Sequence, residues 1–181
     1  NAVGAYPTRN FSEGRFEGIK NISGEKQREV ILKRGGKIKR TCSDGCPIAC
    51  SRTYVDRFGK YLTKGPEYET IWAHGANCGI DNMDTIAQID RLCDDYGMDT
   101  IEIGGAIAVV MEAGTLQFGD EKAAIRLAKE AGEATSLLGR IIGNGAKVTG
   151  EILNVQRVPV VKGQSLPGYD PRAAKGIGVT Y

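Results

Sequence analysis

Three cysteines in the stretch TCSDGCPIAC, Cys42, Cys46 and Cys50, stand at equal intervals in a chain that holds only five. Thiols at this density invite four readings: a zinc site, a redox dithiol, a disulfide framework, or three corners of an iron-sulfur cluster. A zinc site normally uses paired ligands, and the remaining candidates, Cys78, Cys93 and the single histidine His74, show no zinc spacing. A redox dithiol uses C-x-x-C, whereas here Ser43-Asp44-Gly45 and Pro47-Ile48-Ala49 fill the gaps. A cluster needs three thiolates on one tight loop, with backbone N–H groups free to point at sulfur and a fourth cysteine from elsewhere, and Gly45 and Pro47 shape such a turn. Spacing favours the cluster and leaves zinc and uninvolved thiols open.

Carboxylates are the second group with chemical potential. Glu67 and Glu69 in GPEYET lie two residues apart, so on a helix they face different directions and at most one reaches a given centre comfortably. Asp94, Asp95 and Asp99 surround Gly97 in DDYGMD, where one helix ends and another begins. Helix capping is the plain role for those three acids, and a first-turn position on the helix dipole is the plain role for the two glutamates. Cys78, between Asn77 and Gly79, reads as a small buried residue. His74 reads as a histidine satisfied by a neighbour, with a place in a pocket wall as the alternative.

The elements that must position these groups are mostly helical. The first forty residues are punctuated by Gly4, Pro7, Gly14, Gly18 and Gly24, which predicts an irregular segment, followed by a helix from Ser23-Gly24-Glu25 to Gly35-Gly36. The cysteine segment is a loop, and Thr53-Tyr54-Val55 with Tyr61-Leu62 predicts a small hairpin through Arg57-Phe58-Gly59-Lys60. Pro66 opens a helix over 67–76. Apolar periodicity predicts a helix from Met83 to Tyr96, stopped by Gly97, and an almost wholly apolar helix from Thr100 to Ala113, capped by Asp99 and buried between others. Asp120 caps a helix over 121–132, which continues in broken form through Ala134–Leu138 to Gly143, and another spans 144–153. From Val160 the chain returns to loop chemistry, with Tyr169-Asp170-Pro171-Arg172 as a rigid turn. The fold class is therefore mainly α: a multi-helical bundle with an irregular N-terminal segment, a cysteine loop and a short β-hairpin.

At 181 residues and a formal charge of +2, the chain suits one globular domain or two small ones and argues against nucleic-acid binding. The dense basic run from Lys33 to Arg40 is read as a solvated face or a docking patch. No apolar stretch approaches the roughly 20 residues needed to span a bilayer, and no signal sequence is visible. The expected compartment is the cytoplasm, where thiols stay reduced and crowded cysteines bind metal more readily than they form disulfides. The chain opens without an initiator methionine and ends in mid-pattern, so we read it as a piece of something larger.

Several stretches together resemble the tungsten-containing aldehyde ferredoxin oxidoreductases: PTRNF (7–11), ISGE (22–25), CSDGCPIAC (42–50), GPEYET (65–70), NCGIDNMD (77–84), LCDDYGMD (92–99) and VKGQSLPGYDPRAAKGIGVTY (161–181). The resemblance covers essentially the whole chain. It implies that residues 1–160 are the family's helical middle domain and 161–181 the start of its third domain or a linker, with the cofactor-cradling β domain and most of the third domain outside the sequence. It implies that Cys42, Cys46 and Cys50 hold a 4Fe-4S cluster whose fourth cysteine lies elsewhere. One departure is that the family commonly leaves two residues between the first and second cysteines, where this chain has three. It also implies a bis-pyranopterin carrying tungsten or molybdenum, bound through the DDYGMD motif by Asp94, Gly97 and Asp99. A carboxylate accepts the paired N–H donors of a pterin edge as it accepts a guanidinium. Glu69, preferred over Glu67, is the implied catalytic carboxylate.

The implied parent enzyme oxidises an aldehyde to a carboxylic acid and passes electrons to ferredoxin or a similar carrier, with room for a homodimer and with no nucleic-acid or membrane partner. The isolated chain is expected to be inactive. Two alternatives remain: a related tungstopterin enzyme acting on another substrate, such as an aromatic thioester, and a non-catalytic electron-transfer or assembly module. The second would need neither GPEYET nor DDYGMD.

Overall fold

The computed structural model describes residues 1–180. The N-terminal segment is irregular as expected, apart from a single turn, α1 (Ile19–Ile22). It is nonetheless firmly held. Arg9, Asn10 and Phe11 follow one another in the left-handed region, which directs the Arg9 and Asn10 N–H groups to the carbonyls of Ala76 and Asn77. The Trp72 indole donates to Pro7 O at 2.8 Å, and Phe11 meets the same ring edge-on.

Ser23 caps α2 (Gly24–Lys33) by accepting from the Lys26 N–H. A three-stranded antiparallel sheet follows, β1 (Lys37–Arg40), β2 (Ser51–Val55) and β3 (Tyr61–Thr63), in spatial order β1-β2-β3. The expected hairpin is β2-β3. Strand β1, the basic run itself, was not expected as structure. It pairs Lys37 with Thr53 and Arg40 with Ser51, and bulges between them where Lys39 turns left-handed. Only Ile38 on this strand is apolar, so no alternation signals it.

The next helix, α3 (Tyr68–His74), is shorter than the expected 67–76, because Glu67 is extended at its N-cap and Gly75 breaks the ladder before a 3₁₀ turn at Ala76–Cys78. Then come α4 (Met83–Tyr96), capped by Asn82 and ended by Gly97 at φ +66°, and α5 (Thr100–Glu112), capped by Asp99. A side chain at a φ such as that of Gly97 is strained, and glycine avoids the penalty. Helix α6 (Glu121–Glu133) is capped by Asp120 and does not continue as expected: Ala134 turns left-handed, and Ser136 starts a separate α7 (Leu137–Ile142) by accepting from the Gly139 N–H. Helix α8 (Gly145–Leu153) closes the bundle.

While α4 packs against α3 and α6, helix α5 packs mainly on α3 and α8, with lighter contacts to α6 and α7. Its Ile103, Ala106, Ile107, Val109 and Val110 are all buried, as its composition predicts. Burial of each large aliphatic side chain contributes about 1.5–3 kcal/mol, which makes this helix the main source of cohesion. Gly104 lets α5 approach α3 closely, since a Cβ there would lie 2.7 Å from that of Ala73.

Residues 161–181, expected as loop, contain more structure. Strands β4 (Val160–Val161) and β5 (Gln164–Ser165) form a hairpin, and α9 (Lys175–Thr180) ends the described chain. Between them Asp170 fixes the anticipated turn, its buried carboxylate gripping the Arg172 guanidinium at 2.6 Å and the Arg172 N–H at 2.9 Å. Among the described residues no helix is long and apolar enough to cross a membrane.

Candidate functional site

The five thiols divide into two kinds. Cys78 and Cys93 are buried, and burial pushes both pKa values up to about 12, leaving them neutral and inert. Cys78 donates to the Ala73 carbonyl at 3.3 Å, the packing role expected of it. Cys42, Cys46 and Cys50 lie on the loop between β1 and β2, the first and last exposed and Cys46 half-exposed. Hydrogen bonding from the backbone at Ala49 and Ile48 lowers the Cys46 pKa and favours its thiolate. That is the donor arrangement an iron-sulfur cluster requires of the chain around it. Among the described residues no three His, Cys, Asp or Glu side chains converge at metal-binding distance, the three loop cysteines included. The donor chemistry of the loop fits three cluster ligands, and its conformation is an open one.

A cleft of about 330 Å³ lies beside this loop, lined by Lys64, Glu67, Tyr68, Glu69, Asp90 and Tyr169 among others. The two glutamates of GPEYET both reach it, from opposite sides. Glu67 turns toward the cysteine loop, accepting from the Ser51 hydroxyl at 3.1 Å with the Cys50 sulfur 3.9 Å away. Glu69 turns toward the C-terminal turn, where its Oε2 accepts the Gly168 N–H at 2.7 Å. Burial raises the Glu69 pKa, and the bond from Gly168 only partly opposes the shift. The Tyr68 and Tyr169 rings stack 5.3 Å apart and wall this end.

In DDYGMD the three acids take three different roles. Asp99 is the helix cap, holding the Glu102 N–H at 2.7 Å. Asp95 pairs with Arg91 one turn back on α4. Asp94 caps nothing; it is exposed and pairs with Lys64, 3.1 Å away at the cleft edge. Gly97 is the helix stop described above.

Two features of the cleft escaped sequence reasoning. Lys64, which joins Asp94 to the cleft, carries no local signal. Asp90 does carry one: it falls between Ile86, Ile89 and Cys93 on the apolar stripe of α4, where an acid is out of place. It is 1% exposed and accepts from the Thr63 hydroxyl at 2.5 Å. Burial pushes its pKa up to about 6, the Thr63 bond opposing and the Asp94 charge adding to the shift. His74, by contrast, is not in the cleft wall. It is wholly buried, neither ring nitrogen has a hydrogen-bond partner of good geometry among the described residues, and burial lowers its pKa to about 4.

Residues 1–181 match the family described as aldehyde ferredoxin oxidoreductase, domains 2 & 3. The tungsten-containing aldehyde ferredoxin oxidoreductase of Pyrococcus abyssi is 36% identical over 203 residues, a match that takes in 100% of this chain and 32% of that protein. The protein of the same name from Thermococcus kodakarensis is 35% identical over 205 residues, covering 100% of this chain and 31% of its own. A more distant relative, the aliphatic sulfonate oxidoreductase, WOR-like subunit, of Pyrococcus furiosus, is 29% identical over 142 residues, 69% of this chain and 23% of that protein. The chain thus spans about a third of the length of the tungsten-containing relatives it matches. With its full length covered by the family's second and third domains, this chain belongs to the aldehyde ferredoxin oxidoreductase family.

Proposed function

We propose that the chain is part of a tungstopterin enzyme that oxidises an aldehyde to a carboxylate and delivers the electrons through a 4Fe-4S cluster to ferredoxin. Residues 1–160 are its helical middle domain, and 161–181 open its third. The observation that carries the reading is the contact made by Glu67. One carboxylate touches both the cysteine loop, at Ser51 and Cys50, and the cleft that Glu69, Asp90 and Lys64 line, so a redox centre at the cleft and an electron relay on the loop are neighbours. A pure electron-transfer or assembly module has no use for such a cleft.

The reaction is RCHO + H₂O → RCOO⁻ + 3 H⁺ + 2 e⁻. A bound tungstopterin supplies two-electron oxidation, and a bound cluster supplies single-electron transfer. This chain supplies binding and proton handling. Cys42, Cys46 and Cys50 serve as three cluster ligands. Asp94, paired with Lys64, would hold a pterin edge by accepting its paired N–H donors, and the backbone turn at Gly97 and the cap at Asp99 fix the end of the helix that presents it. Glu69 accepts a proton from the attacking water. Its Oε2 is tied to Gly168, so Oε1 is the oxygen that takes the proton, and its raised pKa brings the carboxylate nearer the working pH of a general base.

Substituting Asp94 in the full-length protein tests the cofactor half of this reading. Asp94→Ala should lower tungsten and pterin content several-fold while the helical circular dichroism is kept. Asp99→Ala should mainly lose a cap, at a cost of about 1 kcal/mol. Full loading of the Asp94 variant would limit its carboxylate to the ion pair with Lys64.

A further inference from the structure

Oxidising an aldehyde with water releases protons, and a base that has taken one must lose it before it can work again. Glu69 shares its cleft of about 330 Å³ with Thr70, Asp90 and Thr100, a polar space with room for several waters at about 30 Å³ each. Among these groups Asp90 is out of place. It stands on the apolar stripe of α4, 1% exposed, where burying a charge is unfavourable. Thr63, itself buried on β3, donates to its Oδ2 at 2.5 Å and ties α4 to the sheet. An asparagine would accept the same bond with no charge to bury, so the tie alone does not account for a carboxylate. The bond occupies Oδ2 and leaves Oδ1 for a cleft water.

The groups around Asp90 suit a side chain that gains and loses a proton. Asp94 stands one turn further along α4, where side chains four apart are neighbours, and Lys64, 3.1 Å from Asp94, follows β3. Glu67 and Glu69 line the same cleft from the start of α3. Cys93, also on α4, keeps a neutral thiol, and α6, packed on α4, buries Ala124, Leu127 and Ala128 rather than charge. Among the described residues lining the cleft Lys64 is the one cation, and four carboxylates crowded about it favour a proton on one of them. Asp90 is the most buried of the four, and burial pushes its pKa up to about 6. The Thr70 and Thr100 hydroxyls, 3.0 Å apart, extend the polar lining beside Glu69.

We propose that Asp90 is the proton carrier of this cleft, taking the proton from Glu69 through cleft water and passing it out past Asp94 and Lys64, an inference that rests on reading Glu69 as the base. In the first transfer the Glu69 carboxyl is deprotonated and the Asp90 carboxylate protonated. In the second the Asp90 O–H bond breaks and water or a buffer base takes the proton. No electron moves in either transfer, and Glu69 is left ionised for the next turnover.

The test uses full-length holoenzyme in weak buffer near neutral pH. Asp90→Asn should leave the first half-reaction, read as the absorbance change on mixing with aldehyde in the absence of an acceptor, at the wild-type rate, because Glu69 still takes the proton. Steady-state turnover should fall about ten- to a hundred-fold, and added imidazole, a small diffusible base, should restore most of it while leaving the wild type unchanged. A merely structural role predicts no such rescue. If the Asp90 variant loses its cofactors, Thr63→Val carries the test: it keeps the carboxyl and removes the bond that holds its pKa down, so the acid limb of kcat, lost as pH falls through the Asp90 pKa, should move to higher pH. Unchanged turnover in Asp90→Asn, equal slowing of both phases without rescue, or an unmoved limb in a cofactor-replete Thr63→Val would each overturn the carrier and leave Glu69 as the base. A wild-type holoenzyme that no aldehyde reduces would instead remove the proposed function, and the carrier with it.

Discussion

Along residues 41–50 no side chain is buried, and of the three thiols only Cys50 has a side-chain neighbour, Glu67; each carboxylate in and beside the cleft, by contrast, has a named partner. Glu69 is held by Gly168, Asp90 by Thr63, Asp94 by Lys64 and Glu67 by Ser51. The difference lies in what fixes each region. The cleft stands on α3 and α4, which pack on each other and, respectively, on α5 and α6, so these helices are held in place within this chain. The loop hangs from two short strands, and among the described residues no further His, Cys, Asp or Glu joins its thiols at metal-binding distance. A region built on packed helices is ready before its cofactor arrives, whereas a metal-binding loop takes its final shape from the metal.

The largest effect expected from disturbing the prepared side is at Glu69. Glu69→Gln keeps the shape and the Gly168 contact while removing the base, and turnover of the full-length enzyme with its best aldehyde should fall by about two to four orders of magnitude. Tungsten, pterin and iron contents should stay normal. Glu67→Gln, beside the loop, should be the milder variant. The reverse ranking would move the catalytic carboxylate to Glu67, and two active variants would leave GPEYET as the start of a helix.

A smaller effect separates the cleft from the core behind it. Asp90 and His74 are both buried, and their pKa values move in opposite directions, to about 6 and about 4. For Asp90 the folded value is raised, so its contribution is most favourable below 3.8 and is lost as pH rises through 6. For His74 the folded value is depressed, so stability is full above 6.5 and is lost as pH falls through 4. Between pH 4 and 6 the two slopes oppose each other. Asp90→Asn should therefore stabilise α4 at pH 7 by up to about 3 kcal/mol, have little effect near pH 3.5, and leave the acid loss due to His74 exposed. Hydrogen exchange of α4 in the full-length protein reads this directly. Unchanged protection at pH 7 would mean that Asp90 is compensated by a group outside the cleft described here.

How much of this was legible in the sequence follows the same division. Helices α4, α5 and α6 were readable because each joins a capping side chain to a 3.6-residue apolar stripe, and DDYGMD marked a helix end for the same reason. Strand β1 was not readable, since a strand with a single apolar residue, Ile38, has no apolar alternation. Neither was the break at Ala134, where an alanine takes a left-handed turn more usual for glycine or asparagine. Family resemblance pointed to Asp94 and Glu69, and Asp99 was readable as a cap, but only the fold shows that Asp95 pairs along its own helix and that Asp94 faces Lys64. Asp90 was visible and overlooked, an acid on the buried face of an otherwise regular amphipathic helix.

The central claim is that the open loop is one wall of a metal cluster, and iron content tests it most directly. Full-length protein carrying Cys46→Ser, the cysteine whose pKa the backbone at Ala49 and Ile48 lowers, should be isolated anaerobically and assayed for iron and acid-labile sulfide. The account predicts loss of most of both, with loss of the reduced-cluster signal in electron paramagnetic resonance and with tungsten largely retained. Full iron and sulfide in that variant would contradict it, and would return the three cysteines to the open question their spacing first posed.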